Sequence, residues 1–208
     1  SLIPIPHISM EWVRYRSLPF NKTGKKIYTF RNKQIHQRVR ECSRALDLLE
    51  ALQAGYELNN ILDPLFNVSE FEGLLDLNKA IVMGHSFGGS TAIMSAAAEL
   101  RFKAVVCLDA WMYPIKDESV DLVSQPALFI NSKTFEKEQN MRKLAELLVG
   151  QSHETQRISE MRKAFTIKGS THYNFCDVPF VFSWLTKFFF GVGSSTNPFT
   201  VHDIAMAL

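Results

Sequence analysis

Cysteine is scarce in this chain. The 208 residues include only Cys42, Cys107 and Cys176, an odd number placed far apart in the sequence. This set fits neither a disulfide scaffold nor a cysteine-rich metal site, because both need cysteines in pairs at short spacings. We therefore expect free, buried thiols and no bound metal. Free thiols favour a cytoplasmic protein, and secretion is the alternative if a native amino terminus with a signal peptide is missing.

Long apolar runs and a strong charge imbalance are also absent. No apolar stretch reaches the ~18–20 residues that cross a bilayer, which excludes a transmembrane helix. The nearest is the aromatic stretch 178–190, which is interrupted by polar residues. It is typical of a helix packed on a sheet, and the alternative is that part of Phe188–Phe190 faces lipid. The formal net charge is only +2, which argues against a nucleic-acid partner.

The most informative stretch that is present is Gly84–Gly88, with the sequence GHSFG. It matches G-x-S-x-G, a pattern in which the serine stands on a sharp turn between a strand and a helix. An apolar run, Lys79–Met83, precedes it, and an alanine-rich run, Ser90–Glu99, follows it. The pattern indicates a nucleophile at Ser86, and an ordinary glycine-rich turn is the alternative. We predict that the motif glycines are needed because the turn has no room for a Cβ atom.

A serine nucleophile needs partners, because its hydroxyl reacts slowly at neutral pH without a base and an orienting carboxylate. In α/β-hydrolases the acid and then the histidine follow the serine in the chain. Apolar runs predict further strands at residues 103–108, 125–131 and 164–168, and a helix over 134–149. Asp109 directly follows the first of these strands, and His172 lies in the turn after the last.

This placement favours Asp109 as the acid and His172 as the base. The structural alternative for Asp109 is an ordinary turn or cap residue. The rival acid is Asp177, which lies too close to His172 in sequence to come from a separate strand end. Among the other histidines, His85 lies inside the turn and is expected to point away from the substrate. The remaining four lie outside the pattern of strand ends.

The segments Gly84–Gly89, Leu108–Met112, Phe129–Asn131 and Gly169–His172 resemble the platelet-activating factor acetylhydrolases of the plasma type and the type II intracellular type. Residues 38–46 are similar to the helix that precedes the nucleophile in that family. The resemblance extends from about Trp12 to Leu208. It implies an α/β fold of the α/β-hydrolase type, with a mostly parallel sheet flanked by helices. Residues 1–208 would then form a single, partial catalytic domain.

The resemblance also implies a chemistry. It is calcium-independent hydrolysis of the sn-2 acetyl, short or oxidised acyl ester of phospholipids, which converts platelet-activating factor to a lyso-phospholipid and acetate. Carried over position by position, Ser86 is the nucleophile, Asp109 the acid, His172 the base and the Phe87 amide an oxyanion donor. No cofactor or metal is implied, and the partner is phospholipid at a membrane or lipoprotein surface. The alternatives are a general serine esterase or lipase of this fold, and an inactive lipid-binding form.

The region upstream of Ser86 departs from the family pattern. The second oxyanion donor normally comes from a loop far before the serine, yet the 85 preceding residues contain no glycine-rich loop of that kind. Ser69 and Glu72 predict a capping box that opens a short helix. A longer amphipathic helix is predicted from one apolar stripe, formed by Ile35, Val39, Cys42, Leu46 and Leu49. We therefore expect a chain truncated at both ends, with an uncovered sheet face and edge and inefficient esterase activity.

Basic residues are concentrated near the start of the sequence. Residues 14–44 contain ten Lys or Arg and one acid, Glu41. The segment predicts a solvated basic face, and the alternative is a surface attracted to anionic phospholipid.

Overall fold

The computed structural model describes residues 24–60, 63–116, 121–150, 157–181 and 195–208. A long helix comes first, and the strands and the other helices follow it. The strands are β1 (Ile81–His85), β2 (Ala104–Leu108), β3 (Ala127–Ser132) and β4 (Arg162–Ile167). The helices are α1 (Lys25–Gln53), α2 (Phe87–Ala98), α3 (Glu138–Val149), α4 (Val178–Val181) and α5 (Pro198–Ala207). Short 3-10 helices lie at Val68–Phe71, Leu77–Lys79, Lys133–Phe135 and His172–Phe175.

The four strands form one parallel sheet in the order β1-β2-β3-β4. Gly84 pairs with Cys107, Leu108 with Ile130, and Ile130 with Phe165. Because all strands point the same way, the residues that follow β1, β2 and β4 meet at one edge of the sheet. The prediction of an α/β fold with a mostly parallel sheet is confirmed.

The sheet has helices on both faces. Helix α2 packs on β1 and β2, and α1 packs on α2. On β3, Phe129 joins the core formed with these helices, while its neighbour Ile130 joins Val201 of α5 on the opposite face. Successive strand residues therefore supply two separate apolar layers, as the two-residue period of a strand requires.

The predicted apolar stripe of α1 is confirmed over most of its length. Ile35, Val39 and Leu46 are buried and Cys42 is partly buried, but Leu49 is 39% exposed. Spacings of four and three average 3.5 residues, so such a stripe drifts about 20° per heptad around a straight α-helix. By Leu49 the stripe has turned away from α2.

The strand and helix limits differ from the predicted ones by a few residues. β1 begins two residues later than expected and extends to His85, and β3 extends to Ser132. The helix predicted from residue 134 is divided, because Lys133–Phe135 form a 3-10 helix and α3 begins at Glu138.

The prediction that β1 is a buried strand was only partly right. Val82 is buried, but the neighbouring Ile81 and Met83 are 58% and 66% exposed. β1 also pairs only with β2 among the described strands, so it forms an edge of the sheet. The expected uncovered face and edge stays a prediction, because residues 1–23 and 182–194 lie outside the described residues. Residues 182–190 of the aromatic stretch, Phe188–Phe190 included, lie outside the described residues.

The predicted capping box at Ser69 and Glu72 was wrong. The chain forms a single 3-10 turn there, and its cap is Asn67. The Asn67 Oδ1 atom accepts hydrogen bonds from the Ser69 amide at 3.2 Å and from the Ser69 hydroxyl at 2.8 Å. The asparagine side chain takes the free amide that the box would have used, as short polar side chains commonly do.

The cysteines are free thiols, as predicted. Cys107 is completely buried, but Cys42 and Cys176 are only partly buried. Within the described ranges, every helix is too short or too polar to cross a bilayer.

Candidate active site

A single residue, Ser86, links β1 to α2. β1 ends at His85 and α2 begins at Phe87, and Ser86 between them has a φ of 58°. Few residues other than glycine adopt this left-handed conformation, so the surroundings must hold it in place. The Ser86 amide donates to the Leu108 carbonyl at 2.9 Å, and the Trp111 amide donates to the Ser86 carbonyl at 2.9 Å. The turn is thus fixed against the end of β2.

The glycines that the turn requires are not all those of the motif. A Cβ atom on Gly84 would lie 2.2 Å from the Gly88 carbonyl oxygen. On Gly89, which is outside the five-residue pattern, it would lie 2.8 Å from the Ala110 Cβ. A Cβ on Gly88 would meet nothing within 4 Å. The expected steric need is therefore right for Gly84 and wrong for Gly88, because Gly88 lies on the open side of the first helical turn.

The structure brings Ser86, Asp109 and His172 together. The His172 Nε2 atom lies 2.9 Å from the Ser86 Oγ, and the Nδ1 atom lies 3.0 Å from the Asp109 Oδ2. Asp109 is completely buried and follows β2 with a φ of 46°, while His172 begins the 3-10 helix after β4. A chain of this kind allows an imidazole to take a proton from the hydroxyl while the carboxylate stabilises the charged ring.

Phe87 is the first residue of α2, directly after Ser86. Its amide has no hydrogen-bond acceptor among the residues that the structure describes. The first amides of a helix lack partners within the helix and point towards its amino end, where they favour negative charge. This amide is therefore free to stabilise an anion that forms beside Ser86.

The rival acid lies elsewhere. Asp177 lines a cavity of about 410 Å³ between the sheet and α5, together with Met83 and His202. The carboxylate that faces His172 is that of Asp109.

A second cavity, of about 530 Å³, opens beside Ser86. Its walls contain the aromatic rings of Trp111, Tyr113 and Phe135, and Trp111 stacks on Tyr113 with ring centres 5.8 Å apart. Among the described residues that line it, Lys137 is the one that is charged. Concave, mostly apolar cavities with a few polar groups are typical of small-molecule sites.

Residues 6–208 match the family model described as platelet-activating factor acetylhydrolase, isoform II. The chain belongs to this family. The predicted resemblance is therefore confirmed.

Several curated members of the acetylhydrolase family are similar to this chain. The platelet-activating factor acetylhydrolase of Gallus gallus is 37% identical over 198 residues, which cover 95% of this chain and 44% of that protein. The Bos taurus protein of the same name is 35% identical over 179 residues, 86% of this chain and 38% of the relative. The Canis lupus familiaris protein is 34% identical over 169 residues, which cover 81% of this chain and 36% of that protein. The chain thus spans less than half the length of these relatives.

His85 lies against the imidazole of His172 in this acetylhydrolase-family site. The two ring centres are 4.5 Å apart, and the His85 Nε2 atom lies 3.1 Å from the His172 carbonyl oxygen. The side chain therefore supports the predicted base instead of lining the cavity. Burial lowers the pKa of His85, and the nearby His172 lowers it further, while Asp109 and the hydrogen bond to the carbonyl act in the opposite direction.

We expect the lowered pKa of His85 to make stability depend on pH. Since the folded-state pKa is below the ordinary value of 6.5, the unfolded chain binds more protons at mildly acidic pH. The free energy of unfolding should therefore fall as pH drops below 6.5 towards the folded-state pKa. Urea unfolding between neutral and mildly acidic pH should show a smaller fall in the free energy of unfolding for His85→Gln than for the unaltered protein. The control is His36→Gln, on the exposed side of α1; equal slopes for all three proteins would contradict this role.

Sequence reasoning missed the turn after β3, although Ser132 is the very next residue after the predicted end of that strand. The Ser132 amide donates to the Asp109 Oδ1 and its hydroxyl to the Oδ2, both at 2.5 Å. Thr134 Oγ1 accepts the His172 amide at 3.3 Å. The Phe135 ring stacks on the His172 ring, with centres 4.2 Å apart and planes 11° from parallel.

Part of the basic segment contacts aromatic rings at and beside the cavity. The Arg31 guanidinium lies 5.5 Å from the Phe87 ring centre and 5.9 Å from that of Trp111, and Arg38 lies 4.9 Å from Phe87. Such distances permit cation–π attraction, so these two side chains do more than solvate a basic face. Residues 14–23 of the segment lie outside the described residues.

The group formed by His85, Asp109 and His172 could also be considered as a metal site. One atom from each of His85, Asp109 and His172 lies within 4.8 Å of the others. Both ring nitrogens of His172 already face hydrogen-bond partners, and Asp109 accepts two donors from Ser132. An imidazole nitrogen that donates its proton to a carboxylate cannot bind a cation at the same time. The donor set therefore favours proton transfer over metal binding.

Proposed function

We propose that residues 1–208 are part of one catalytic domain that hydrolyses phospholipid esters with Ser86 as the nucleophile. The finer proposal is calcium-independent cleavage of sn-2 acetyl, short or oxidised acyl chains, which would release a lyso-phospholipid. The supporting observation is the hydrogen-bonded series Ser86, His172 and Asp109 beside a cavity of about 530 Å³. Membership of the acetylhydrolase family supports the phospholipid ester as the substrate class.

The proposed reaction has two halves. His172 Nε2 takes the Ser86 proton as the serine oxygen attacks the ester carbonyl, and the Phe87 amide donates a hydrogen bond to the oxyanion. The carbonyl re-forms, and the departing lyso-phospholipid oxygen takes the proton from His172. A water molecule then gives a proton to His172 and attacks the acyl carbonyl. The bond to the Ser86 oxygen breaks, the acid is released, and His172 returns the proton to restore the Ser86 hydroxyl. Throughout, Asp109 keeps Nδ1 protonated and stabilises the charged ring.

The cavity supports a substrate that combines apolar and anionic parts. The aromatic walls suit acyl and alkyl carbons, and the Lys137 ammonium would attract the phosphate of a phospholipid. We further propose that the basic residues of α1 face an anionic membrane or lipoprotein surface, because Ile27 near the start of α1 lines the cavity. Three free thiols support a cytoplasmic location, with secretion as the alternative.

The substrate class is tested by comparing phosphatidylcholines with an acetyl or a palmitoyl group at sn-2, with calcium chelated. The full-length protein should be used, because the curated relatives are more than twice as long as this chain. We expect hydrolysis of the acetyl lipid and little of the palmitoyl lipid, with no effect of the chelator. Equal rates would indicate a general lipase of the same fold. Vesicle binding without turnover of either lipid would favour the inactive lipid-binding form.

A further inference from the structure

The acid and base of this site come from strands that are not neighbours. Asp109 follows β2 and His172 follows β4, and β3 lies between these two strands in the sheet. The Asp109 carboxylate must therefore reach His172 across the end of β3. The last residue of β3 is Ser132, which is completely buried at that crossing point.

Ser132 supplies two of the hydrogen bonds that Asp109 accepts. Its amide donates to Oδ1 and its hydroxyl to Oδ2, each at 2.5 Å, and His172 Nδ1 lies 3.0 Å from the same Oδ2. Asp109 is 0% exposed, so protein donors must replace the water that would otherwise stabilise its charge. The amide holds Oδ1, and the hydroxyl holds Oδ2 in the position where it faces the imidazole.

The same turn also contacts the base. Thr134 Oγ1 lies 3.5 Å from the Ser132 hydroxyl and accepts the His172 amide, and Phe135 stacks on the imidazole. Among the described residues, the charged and titratable groups next to His172 are Asp109 after β2, His85 at the end of β1 and Tyr173, while Lys137 lies 5.8 Å from the centre of the Phe135 ring. One short segment, residues 132–135, thus fixes the acid and base relative to each other.

We propose that Ser132 is a positioning residue that holds the Asp109 carboxylate aimed at His172 Nδ1. This inference rests on the proposed function, in which His172 must take the Ser86 proton in one orientation. The Ser132 hydroxyl acts through Asp109 and does not touch the substrate. Without this hydroxyl, Oδ2 keeps a single donor among the described residues, the His172 Nδ1 group. The carboxylate can then rotate about the hydrogen bond between Oδ1 and the Ser132 amide.

The test uses Ser132→Ala, which removes the hydroxyl and keeps the amide, and Ser132→Thr, which retains both donors. The matched control is Ser95→Ala, since Ser95 is a completely buried serine of α2 whose hydroxyl has no partner in the described structure. Two quantities are measured. One is the rate at which a fluorophosphonate labels Ser86, and the other is the downfield proton NMR resonance of the His172 Nδ1–H that faces Asp109.

We expect Ser132→Ala to slow labelling by about tenfold, the effect of losing one hydrogen bond to a charged group. The Nδ1 proton resonance should also shift or broaden in this variant. Ser132→Thr should restore both quantities towards those of the unaltered protein, and Ser95→Ala should change neither. A Ser132→Ala protein that keeps both the labelling rate and the resonance would overturn the inference.

The two readouts separate this inference from the proposed function. If the unaltered protein shows no labelling at all, the proposed nucleophile is wrong. The NMR comparison still decides the role of Ser132, because the Nδ1–H resonance reports the contact between Asp109 and His172 whether or not Ser86 reacts. An unchanged resonance in Ser132→Ala would then reject the inference, and a changed one that Ser132→Thr restores would support it.

Discussion

Replacing Ser86 with alanine should abolish fluorophosphonate labelling and lower ester hydrolysis by about 10⁴–10⁶-fold, the cost of removing a nucleophile from a serine hydrolase site. The Ser86 Oγ is the atom within 2.9 Å of His172 Nε2, and no other hydroxyl is hydrogen-bonded to that nitrogen in the described residues. Labelling is read on a gel and hydrolysis as acetate release from an sn-2 acetyl lipid. The full-length protein serves for both.

The control for this variant is Ser95→Ala, which removes a buried hydroxyl from the same helix region without touching His172. It should label and hydrolyse like the unaltered protein. Thermal unfolding of Ser86→Ala should remain close to that of the unaltered protein, because among the described residues the missing hydroxyl is hydrogen-bonded only to the His172 ring. Labelling that persists in Ser86→Ala would assign the reactive group to another residue.

Replacing Gly84 with alanine should destabilise the fold strongly, by about 3 kcal/mol or more. The new Cβ atom would lie 2.2 Å from the Gly88 carbonyl oxygen and 2.8 Å from the Gly89 nitrogen. Both are backbone atoms of a buried helix, and β1 is held by its pairing with β2, so neither side can move away cheaply. Urea unfolding followed by circular dichroism measures the loss.

Gly88→Ala is the matched control, because it changes the other glycine of the same five-residue motif. A Cβ atom there meets nothing within 4 Å, and alanine is favoured over glycine within a helix by up to about 1 kcal/mol. This variant should therefore be as stable as the unaltered protein or slightly more so. Similar losses for Gly84→Ala and Gly88→Ala would contradict the assignment of steric need to Gly84.

The rest of the fold was predictable wherever it depends on the pattern of apolar residues within one short segment. Apolar runs of five or six residues indicate buried strands, and the strands found at 104–108 and 127–132 lie within two residues of the predicted ones. The α1 stripe was predictable for the same reason, because residues three and four apart share a helix face. The short turn at Val68–Phe71 was not, since Ser69 and Asn67 both offer a cap and only the folded chain selects Asn67.

By itself, the sequence determined the strand, turn and helix around Ser86, the order of strands and helices, and Asp109 and His172 as residues that follow strand ends. Each of these depends on neighbours in the chain. The tertiary structure decided which atoms meet. Ser132 reaches Asp109 because β3, which ends at Ser132, lies beside β2, and His85 packs against His172 because β1 ends there. It also made Gly84 and Gly89, not Gly88, the crowded positions. Contacts between residues dozens of positions apart depend on how the strands align side by side, and the spacing of residues along the chain does not specify that alignment.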